Sequence, residues 1–250
     1  MQEQYENQYH RTESHHWWFV GRRSLVYDLT TRANPNPACR ILEIGCSSGQ
    51  FMAQLRQKGY QNVTGIDISE KAVKLCQDAG LAASVMDAQQ LDFPDQSFDL
   101  ITASDVLEHL KDEKAALQEW CRVLKPGGIV LIFVPAFMFL WSKHDVANRH
   151  YRRYRLAELK QALDANGFVV ERSSYWNFSL FLPIATVRSV KRLFEKKTVG
   201  EDGGTGDLFI PREPVNSILL SILRMENCLF KYGINWPFGV SAMTIARRRP

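Results

Sequence analysis

The sequence predicts an α/β protein with a doubly wound, mostly parallel seven-stranded sheet, helices on both faces and a helical insert before the last strand. Between residues 40 and 172, short apolar runs alternate with amphipathic stretches, which predicts parallel strands joined by helices. The first run, Ile41 to Ile44, enters a glycine-framed turn, and the second ends in Asp67. The last run, 240–246, follows the sixth strand only after two helical stretches, which predicts the insert.

The predicted elements follow the chain in a simple order. A polar arm precedes a helix over 24–32, and an Asn-Pro-Asn-Pro break follows at 34–37. Strands are expected near 40–44, 62–67, 82–86, 98–103, 128–134 and 167–172, with helices over 51–58 and 156–165 among the stretches between them. The insert is expected to hold a helix near 180–194, a flexible stretch over 200–207 and an amphipathic helix over 215–232.

Composition narrows the class of protein. A chain of 250 residues with 45% hydrophobic content suits one core with an elaboration. The net charge of +4 is mild, and its basic residues cluster at 149–155, 191–197 and 247–249, which favours a local anionic partner over a nucleic acid. Five cysteines without a C-x-x-C pair and a polar N-terminus predict a reduced, cytoplasmic protein. No apolar window is long enough to span a bilayer, while peripheral membrane contact and a homodimer stay open.

The turn after the first strand predicts a site for a nucleotide-sized ligand. Gly45 and Gly49 allow a tight turn and close approach of the backbone, and Asp67, about 20 residues further on, is placed to accept hydrogen bonds from a ribose. By spacing alone, nicotinamide and adenosyl ligands both fit. A pyrophosphate needs Gly-x-Gly-x-x-Gly, and Ser47 stands at the position of the middle glycine. The turn therefore suits a dinucleotide poorly.

Several blocks in sequence order carry a resemblance to a known family. They are Glu43-x-Gly45 with Gly49, Met86-Asp87-Ala88, residues 93–101, Asp105 to Leu110, and Arg122 to Gly128. Together they resemble the class I S-adenosylmethionine-dependent methyltransferases, in particular bacterial small-molecule enzymes such as the ubiquinone-biosynthesis O-methyltransferases, over roughly residues 38 to 135. Ser47 stands where that family usually has glycine. The resemblance implies a Rossmann-like fold and S-adenosyl-L-methionine as cofactor, with S-adenosyl-L-homocysteine as product.

The resemblance also implies roles for single residues. Glu43 and the backbone of 45–49 would hold the methionine end, Asp67 the ribose hydroxyls, and Ser104 the floor below the sulfonium. The full set of predicted cofactor residues is Trp18, Arg22, Glu43, Gly45, Cys46, Ser47, Gly49, Asp67, Ile68, Asp87, Ala88 and Ser104. Asp67 as a helix cap, Asp87 as a turn acid and Cys46 as a packing residue are the structural alternatives.

The N-terminal segment 15–23 concentrates aromatic and cationic side chains, Trp18 and Arg22 among them. Such a segment could fold over the cofactor as a lid, or could hold the first helix to the core. The chain is accordingly expected to divide into an N-terminal helical arm or lid (1–37), a cofactor-binding methyltransferase core (38–175), a helical insert serving as acceptor roof or interface (176–237), and a final antiparallel strand with a basic tail (238–250).

His109 is the predicted general base. It lies in Asp105-x-x-Glu108-His109, and a similar block binds a divalent metal in ubiquinone-biosynthesis O-methyltransferases and some RNA-end methyltransferases. The resemblance therefore implies an ion such as Mg²⁺ at Asp105, Glu108 and His109. An imidazole of near-neutral pKa could also act without metal, and the block could simply pack the start of a helix.

The stretch 141–155 follows the fifth strand and borders the cleft at the carboxyl edge of the sheet. His144, His150 and Arg153 are the predicted acceptor-side residues, because imidazole and guanidinium groups bind anionic oxygens. Residues 150–154 resemble the H-x-R-R-Y block of bacterial methyltransferases associated with glycan and lipid biosynthesis. A solvated helix start is the structural alternative.

These observations predict methyl transfer to a small-molecule acceptor, anionic or lipophilic. A hydroxyl of a quinone-like, prenyl or glycan- or lipid-linked compound is expected, because apolar residues of the insert could roof an apolar cavity or else form an interface. An RNA methyltransferase and a non-catalytic adenosyl-binding scaffold are the alternatives.

Overall fold

The computed structural model describes residues 3–194 and 210–250. Its strands are β1 (Ile41–Ile44), β2 (Val63–Asp67), β3 (Ala82–Val85), β4 (Phe98–Ser104), β5 (Leu124–Pro135), β6 (Phe168–Trp176) and β7 (Ser241–Arg248). Its α-helices are α1 (Glu3–Thr12), α2 (Trp17–Ala33), α3 (Gln50–Gln57), α4 (Glu70–Asp78), α5 (Glu113–Val123), α6 (Lys143–Ala147), α7 (Leu156–Ala165), α8 (Phe181–Phe194) and α9 (Val215–Lys231). Two 3₁₀ turns cover Leu107–His109 and Met138–Leu140.

The seven strands form one sheet in the order β3-β2-β1-β4-β5-β7-β6. Strands β1 to β5 pair in parallel, whereas β7 is antiparallel to both of its neighbours. This arrangement confirms the predicted seven-stranded, mostly parallel sheet. The strand order reverses between β1 and β4, and the crevice at the carboxyl ends there is where doubly wound folds bind ligands.

Helices cover both faces of the sheet because its strands are apolar on both sides. Neighbouring β1 residues face opposite layers: Leu42 packs with Trp120 of α5, and Ile41 packs with Leu25 of α2 and Phe230 of α9. All five side chains are fully buried. Each such burial contributes roughly 1.5–3 kcal/mol of transfer free energy. The helix layers on the two faces hold the sheet in place, and with it the edge at which the site lies.

The N-terminal region differs most from the sequence prediction. Part of the polar arm forms α1, and α2 begins at Trp17 instead of residue 24. The imidazole Nδ1 of His16 accepts a hydrogen bond from Trp18 N at 3.3 Å and so caps α2. Most of the aromatic and cationic segment 15–23 is therefore helical. The predicted flexible stretch 200–207 lies outside the described residues.

The insert between β6 and β7 packs against α2 through α9. Asn227 receives a hydrogen bond from the indole nitrogen of Trp176 at 2.8 Å and donates one to the Gly21 carbonyl at 2.8 Å. A Cβ on Gly21 would lie 2.8 Å from Cδ1 of Leu223, so α2 and α9 approach closely. Within the described residues, no helix is long and apolar enough to cross a membrane.

Candidate functional site

The turn after β1 has the tight geometry that its glycines predict. Gly45 and Gly49 adopt φ values of +75° and +76°, where side chains are strained. A Cβ on Gly45 would lie 2.5 Å from Cγ2 of Val106, which leaves no room for a larger residue. Ser47, where the family usually has glycine, has φ +50°. The loop therefore keeps the left-handed conformation in spite of the serine.

Asp67 lies opposite this loop at the end of β2. Its two carboxylate oxygens accept hydrogen bonds from Ser47 N and Ser69 N, both at 3.0 Å. The hydroxyl of Ser69 caps α4 by accepting from Ala72 N at 3.1 Å. Ser69, and not Asp67, is therefore the N-cap of α4. Asp67 instead ties the glycine loop to the neighbouring strand.

The predicted adenine-side residues lie along the same edge of the sheet. The Ile68 side chain is 74% exposed and offers a flat apolar surface beside Asp67. Asp87 is exposed, and its side chain accepts a hydrogen bond from Gln89 N at 2.8 Å. This is the contact expected if Asp87 is a turn acid. Ala88 is buried, and its carbonyl accepts from the Trp120 indole at 3.0 Å.

A small cavity of about 70 Å³ lies between the glycine loop, the end of β4 and the N-terminal helices. Buried oxygens of Glu43 (Oε2), Thr102 (Oγ1) and Ser104 (Oγ) line it without a hydrogen-bond partner. Buried polar groups are normally paired, so three orphaned oxygens around one cavity indicate a place for a polar ligand. The other lining residues are Tyr9, Glu13, Phe19, Arg22, Arg23, Val26, Gly45, Cys46, Ser47, Gln50 and Phe51.

The cavity is far smaller than the roughly 300–1,000 Å³ of ordinary ligand pockets, because the N-terminal segment closes it. The hydroxyl of Ser47 donates to Oε2 of Glu13 at 3.0 Å and lies 3.2 Å from Nδ1 of His10. Burial, followed by the nearby Cys76, Glu13 and Asp67, raises the pKa of Glu43 well above its usual range. The closed cavity therefore favours a protonated Glu43.

Cys46 faces the protein interior. Its sulfur lies 3.8 Å from that of Cys76, and a Cβ on Gly65 would lie 2.8 Å from Cβ of Cys46. The hydrogen bond with Cys76, followed by burial, raises the pKa of the Cys46 thiol. A raised pKa opposes thiolate formation, so the packing interpretation of Cys46 describes the structure better than a nucleophile does.

Trp18 and Arg22 form a stacked pair at the start of α2. The guanidinium carbon of Arg22 lies 4.0 Å from the centroid of the Trp18 ring, and the guanidinium donates to the carboxylate of Asp105. Arg22 lines the cavity, whereas Trp18 does not line it and instead stacks on the guanidinium of Arg22. This contact joins the N-terminal segment to the loop after β4.

A cluster of histidines lies beyond Asp105. The rings of His109 and His150 are 4.5 Å apart and perpendicular, and His144 is 6.1 Å from His150. Burial, followed by the charge of His150, lowers the pKa of His109 to about 3, so its imidazole is neutral at ordinary pH. The structure thus brings together three histidines that the sequence predicts as site residues.

Asp145, which is not among the residues predicted from the sequence, organises this cluster. It is fully buried, and its Oδ1 lies 2.9 Å from Nδ1 of His150. Arg153 grips both carboxylate oxygens at 2.7 and 2.9 Å and also donates to the Ala136 carbonyl. The sequence feature that could have identified Asp145 is the capping-box spacing Ser142-x-x-Asp145, and the structure contains this capping box. The guanidinium of Arg153 therefore holds Asp145.

The predicted metal residues separate into two groups. Asp105 is paired with Arg22, whereas Glu108, His109 and His150 bring one ligand atom each within 4.8 Å of one another. Burial raises the pKa of Glu108 to about 8, and neither of its carboxylate oxygens has a hydrogen-bond partner. The structure thus brings His150, and not the predicted Asp105, close to Glu108 and His109.

Comparison with known proteins agrees with this geometry. Residues 42–132 match the family model described as a methyltransferase domain. The 27-O-demethylrifamycin SV methyltransferase of Amycolatopsis mediterranei is 32% identical over 130 residues, which are 46% of this chain and 48% of that protein. The ubiquinone biosynthesis O-methyltransferase of Paracidovorax citrulli is 34% identical over 126 residues, 47% of this chain and 48% of that protein. The chain spans about half the length of these relatives.

Solved structures show the same fold at lower identity. Phosphoethanolamine N-methyltransferase 2 of Haemonchus contortus, solved in complex with S-adenosyl-L-methionine, has a TM-score of 0.57 and 20% identity, over 89% of this chain and 52% of that one. The sheet order and this likeness show a Rossmann-like methyltransferase fold. Over residues 42–132, the chain therefore resembles the methyltransferase domains of these proteins.

Proposed function

We propose that this chain is an enzyme that transfers a methyl group from S-adenosyl-L-methionine to a small-molecule acceptor. The observation that carries the proposal is the cavity beside the glycine loop, with orphaned oxygens on Glu43, Thr102 and Ser104. A ligand with an ammonium group, a ribose and an adenine has a partner for each part: Glu43, Asp67 and Ile68. The residues present therefore fit the cofactor.

When bound, the cofactor supplies a methyl group that its positively charged sulfur has already activated. The protein's main task is then to align an acceptor for in-line displacement and to exclude water. Ser104, at the end of β4, lines the cavity together with residues of α1 and α2, and we assign it to the floor below the cofactor's sulfur. The chain thus contributes positioning more than covalent chemistry.

We propose an oxygen acceptor on a lipophilic, quinone-like, prenyl or glycan- or lipid-linked compound. A hydroxyl must lose its proton during transfer, and we assign the role of proton acceptor to the imidazole of His109, which burial keeps neutral beside His150. An aromatic cluster follows β5: the ring of Phe137 stacks on that of Tyr175 with centroids 4.7 Å apart, and the ring of Phe181 is 5.9 Å from that of Phe137. Such a surface suits an apolar acceptor body.

A divalent ion at Glu108, His109 and His150 is the alternative for the same step. Two imidazoles and one carboxylate fit a transition ion better than Mg²⁺, which prefers oxygen ligands. The unpartnered oxygens of Glu108 and the contact of His150 with Asp145 favour this alternative, because ligating histidines usually donate to a carboxylate. A bound ion would stabilise negative charge on an acceptor oxygen.

Calorimetric titration tests the proposal. The protein is titrated with S-adenosylmethionine, S-adenosylhomocysteine and NADH, and phenolic and polyprenyl acceptors are then screened with and without chelator. Micromolar adenosyl binding without NADH binding, followed by methylation of an acceptor, is expected. Adenosyl binding without turnover on any acceptor would favour the non-catalytic scaffold, and loss of turnover in chelator would favour the ion.

A further inference from the structure

Glu13, in the turn after α1, reaches the cofactor cavity from the N-terminal side. It is 6% exposed and lines the cavity together with Glu43. Its Oε2 accepts from the hydroxyl of Ser47 at 3.0 Å, and its Oε1 lies 3.4 Å from Nδ1 of His10. A buried acid is thus held against the glycine loop by a segment outside the matched methyltransferase domain.

Glu13 and Glu43 line the same cavity, and the charge of Glu13 acts on Glu43. The charge of Glu13 is one of the causes, after burial, that raise the pKa of Glu43, whose Oε2 has no partner. Two neighbouring carboxylates oppose each other's ionisation unless a cation lies with them. Arg23 opposes the raised pKa of Glu43 only as the last of its causes, and Oε2 of Glu43 accepts no hydrogen bond, so this end of the cavity is suited to a further positive group with several hydrogen-bond donors.

Arg23 places a positive group in the same cavity. Its Nη1 donates to the main-chain oxygen of Glu13 at 3.1 Å, and the charges of Glu13 and Glu43 both act on it. The adjacent Arg22 is already paired with Asp105. Two acids and a guanidinium lining one small cavity match a zwitterion, with an ammonium beside the acids and a carboxylate beside the guanidinium.

We propose that Glu13 and Arg23 are binding residues for the α-amino-acid group of the cofactor, and that this group holds the N-terminal segment over the glycine loop. The inference rests on the proposed function, since it requires a cofactor with an amino-acid end. The inference goes beyond the proposed function in two ways. It assigns the carboxylate of Glu13 to the cofactor's ammonium group, in addition to Glu43, and the guanidinium of Arg23 to the cofactor's carboxylate. The hydroxyl of Ser47 then positions Glu13.

If Glu13 took the place of a cofactor group instead of binding the ammonium, removing its charge would change the affinity for the cofactor in the opposite direction. If its carboxylate merely filled the place of the cofactor's own carboxylate, removing its charge would tighten binding. If Glu13 binds the ammonium, removing its charge weakens binding of any ligand that carries the amino-acid group. A ligand with the same adenosine and thioether but no amino-acid group is then unaffected.

The experiment compares S-adenosylhomocysteine with 5′-methylthioadenosine, which lacks the amino-acid group, by calorimetry on the full chain. The variants are Glu13→Gln and Arg23→Met, and Glu70→Gln is the control, an exposed acid in the first turn of α4. Circular dichroism and thermal melting check that each variant is folded. We expect both cavity variants to bind S-adenosylhomocysteine roughly 10- to 100-fold more weakly, with affinity for 5′-methylthioadenosine within about twofold of wild type.

Three outcomes would overturn the inference while wild type still binds both ligands: unchanged affinity for S-adenosylhomocysteine, equal losses for the two ligands, or tighter binding by Glu13→Gln. Equal losses would indicate general damage to the glycine loop. If wild type bound neither ligand, the proposed function itself would fail, and this assignment with it. Glu13→Asp provides a second check, because restored charge should recover part of the affinity.

Discussion

Replacing Asp67 by alanine tests the cofactor site most directly. Asp67 accepts hydrogen bonds from Ser47 N and Ser69 N at 3.0 Å, and it is the residue proposed to hold the ribose hydroxyls. Hydrogen bonds to a charged group contribute about 1.5–3 kcal/mol each. Losing the ribose contacts and the tie to the loop should therefore cost about 2–4 kcal/mol of binding free energy, or roughly 30- to 700-fold in affinity.

The assay is calorimetric titration with S-adenosylhomocysteine, with urea unfolding of each variant to separate binding from folding. Asp78→Ala is the matched control, because Asp78 is an exposed acid on α4 whose partner is Lys74. Its affinity should stay within about twofold of wild type, since exposed pairs contribute little. Unchanged affinity of a folded Asp67→Ala protein would refute the ribose assignment.

Three further predictions concern stability. Gly21→Ala places a Cβ 2.8 Å from Cδ1 of Leu223 and should lower the free energy of unfolding in urea by about 1–3 kcal/mol; no loss would show that α9 can shift. Asp105→Asn leaves the buried Arg22 without its ionic partner and should cost about 3 kcal/mol in the same assay, whereas an unchanged midpoint would contradict a stabilising contact. The pKa of Glu43 is raised in the folded state, so the folded protein binds the proton of Glu43 more tightly than the unfolded chain does. The free energy of unfolding without cofactor should therefore fall as the pH rises above the ordinary glutamate pKa. Glu43→Gln should flatten that part of the pH profile of unfolding, and an identical profile would refute the assignment.

The sheet could be predicted because each strand carries a local signal. The apolar runs around Ile41 and Ile66 are buried on both faces, and the helix predicted over 156–165 matches α7. Such patterns depend on residues within one element, so the sequence alone contains them. The glycine loop is similar, since Gly45 and Gly49 adopt the positive φ values that glycine favours.

Glu13 and Asp145 could not be recognised in the same way. Glu13 gains its significance from Ser47, which lies far along the chain, and Asp145 from being enclosed by His150 and Arg153. The start of α2 was missed for a different reason, because His16 is not among the residue types usually preferred at an N-cap. Contacts between segments that are far apart along the chain leave no periodic pattern in the sequence, so they could not be predicted from it.

The insert begins and ends at residues that face each other. Trp176, the last residue of β6, is the register partner of Ser241, the first residue of β7. Residues 177–240 therefore form one greatly enlarged hairpin connection between adjacent antiparallel strands. Since the free-energy cost of closing a loop grows only with the logarithm of its length, such a connection can be lengthened, shortened or exchanged while the strand register is kept. If the insert roofs the acceptor, as the sequence predicts, exchanging this one connection should change the acceptor preference while the sheet stays the same.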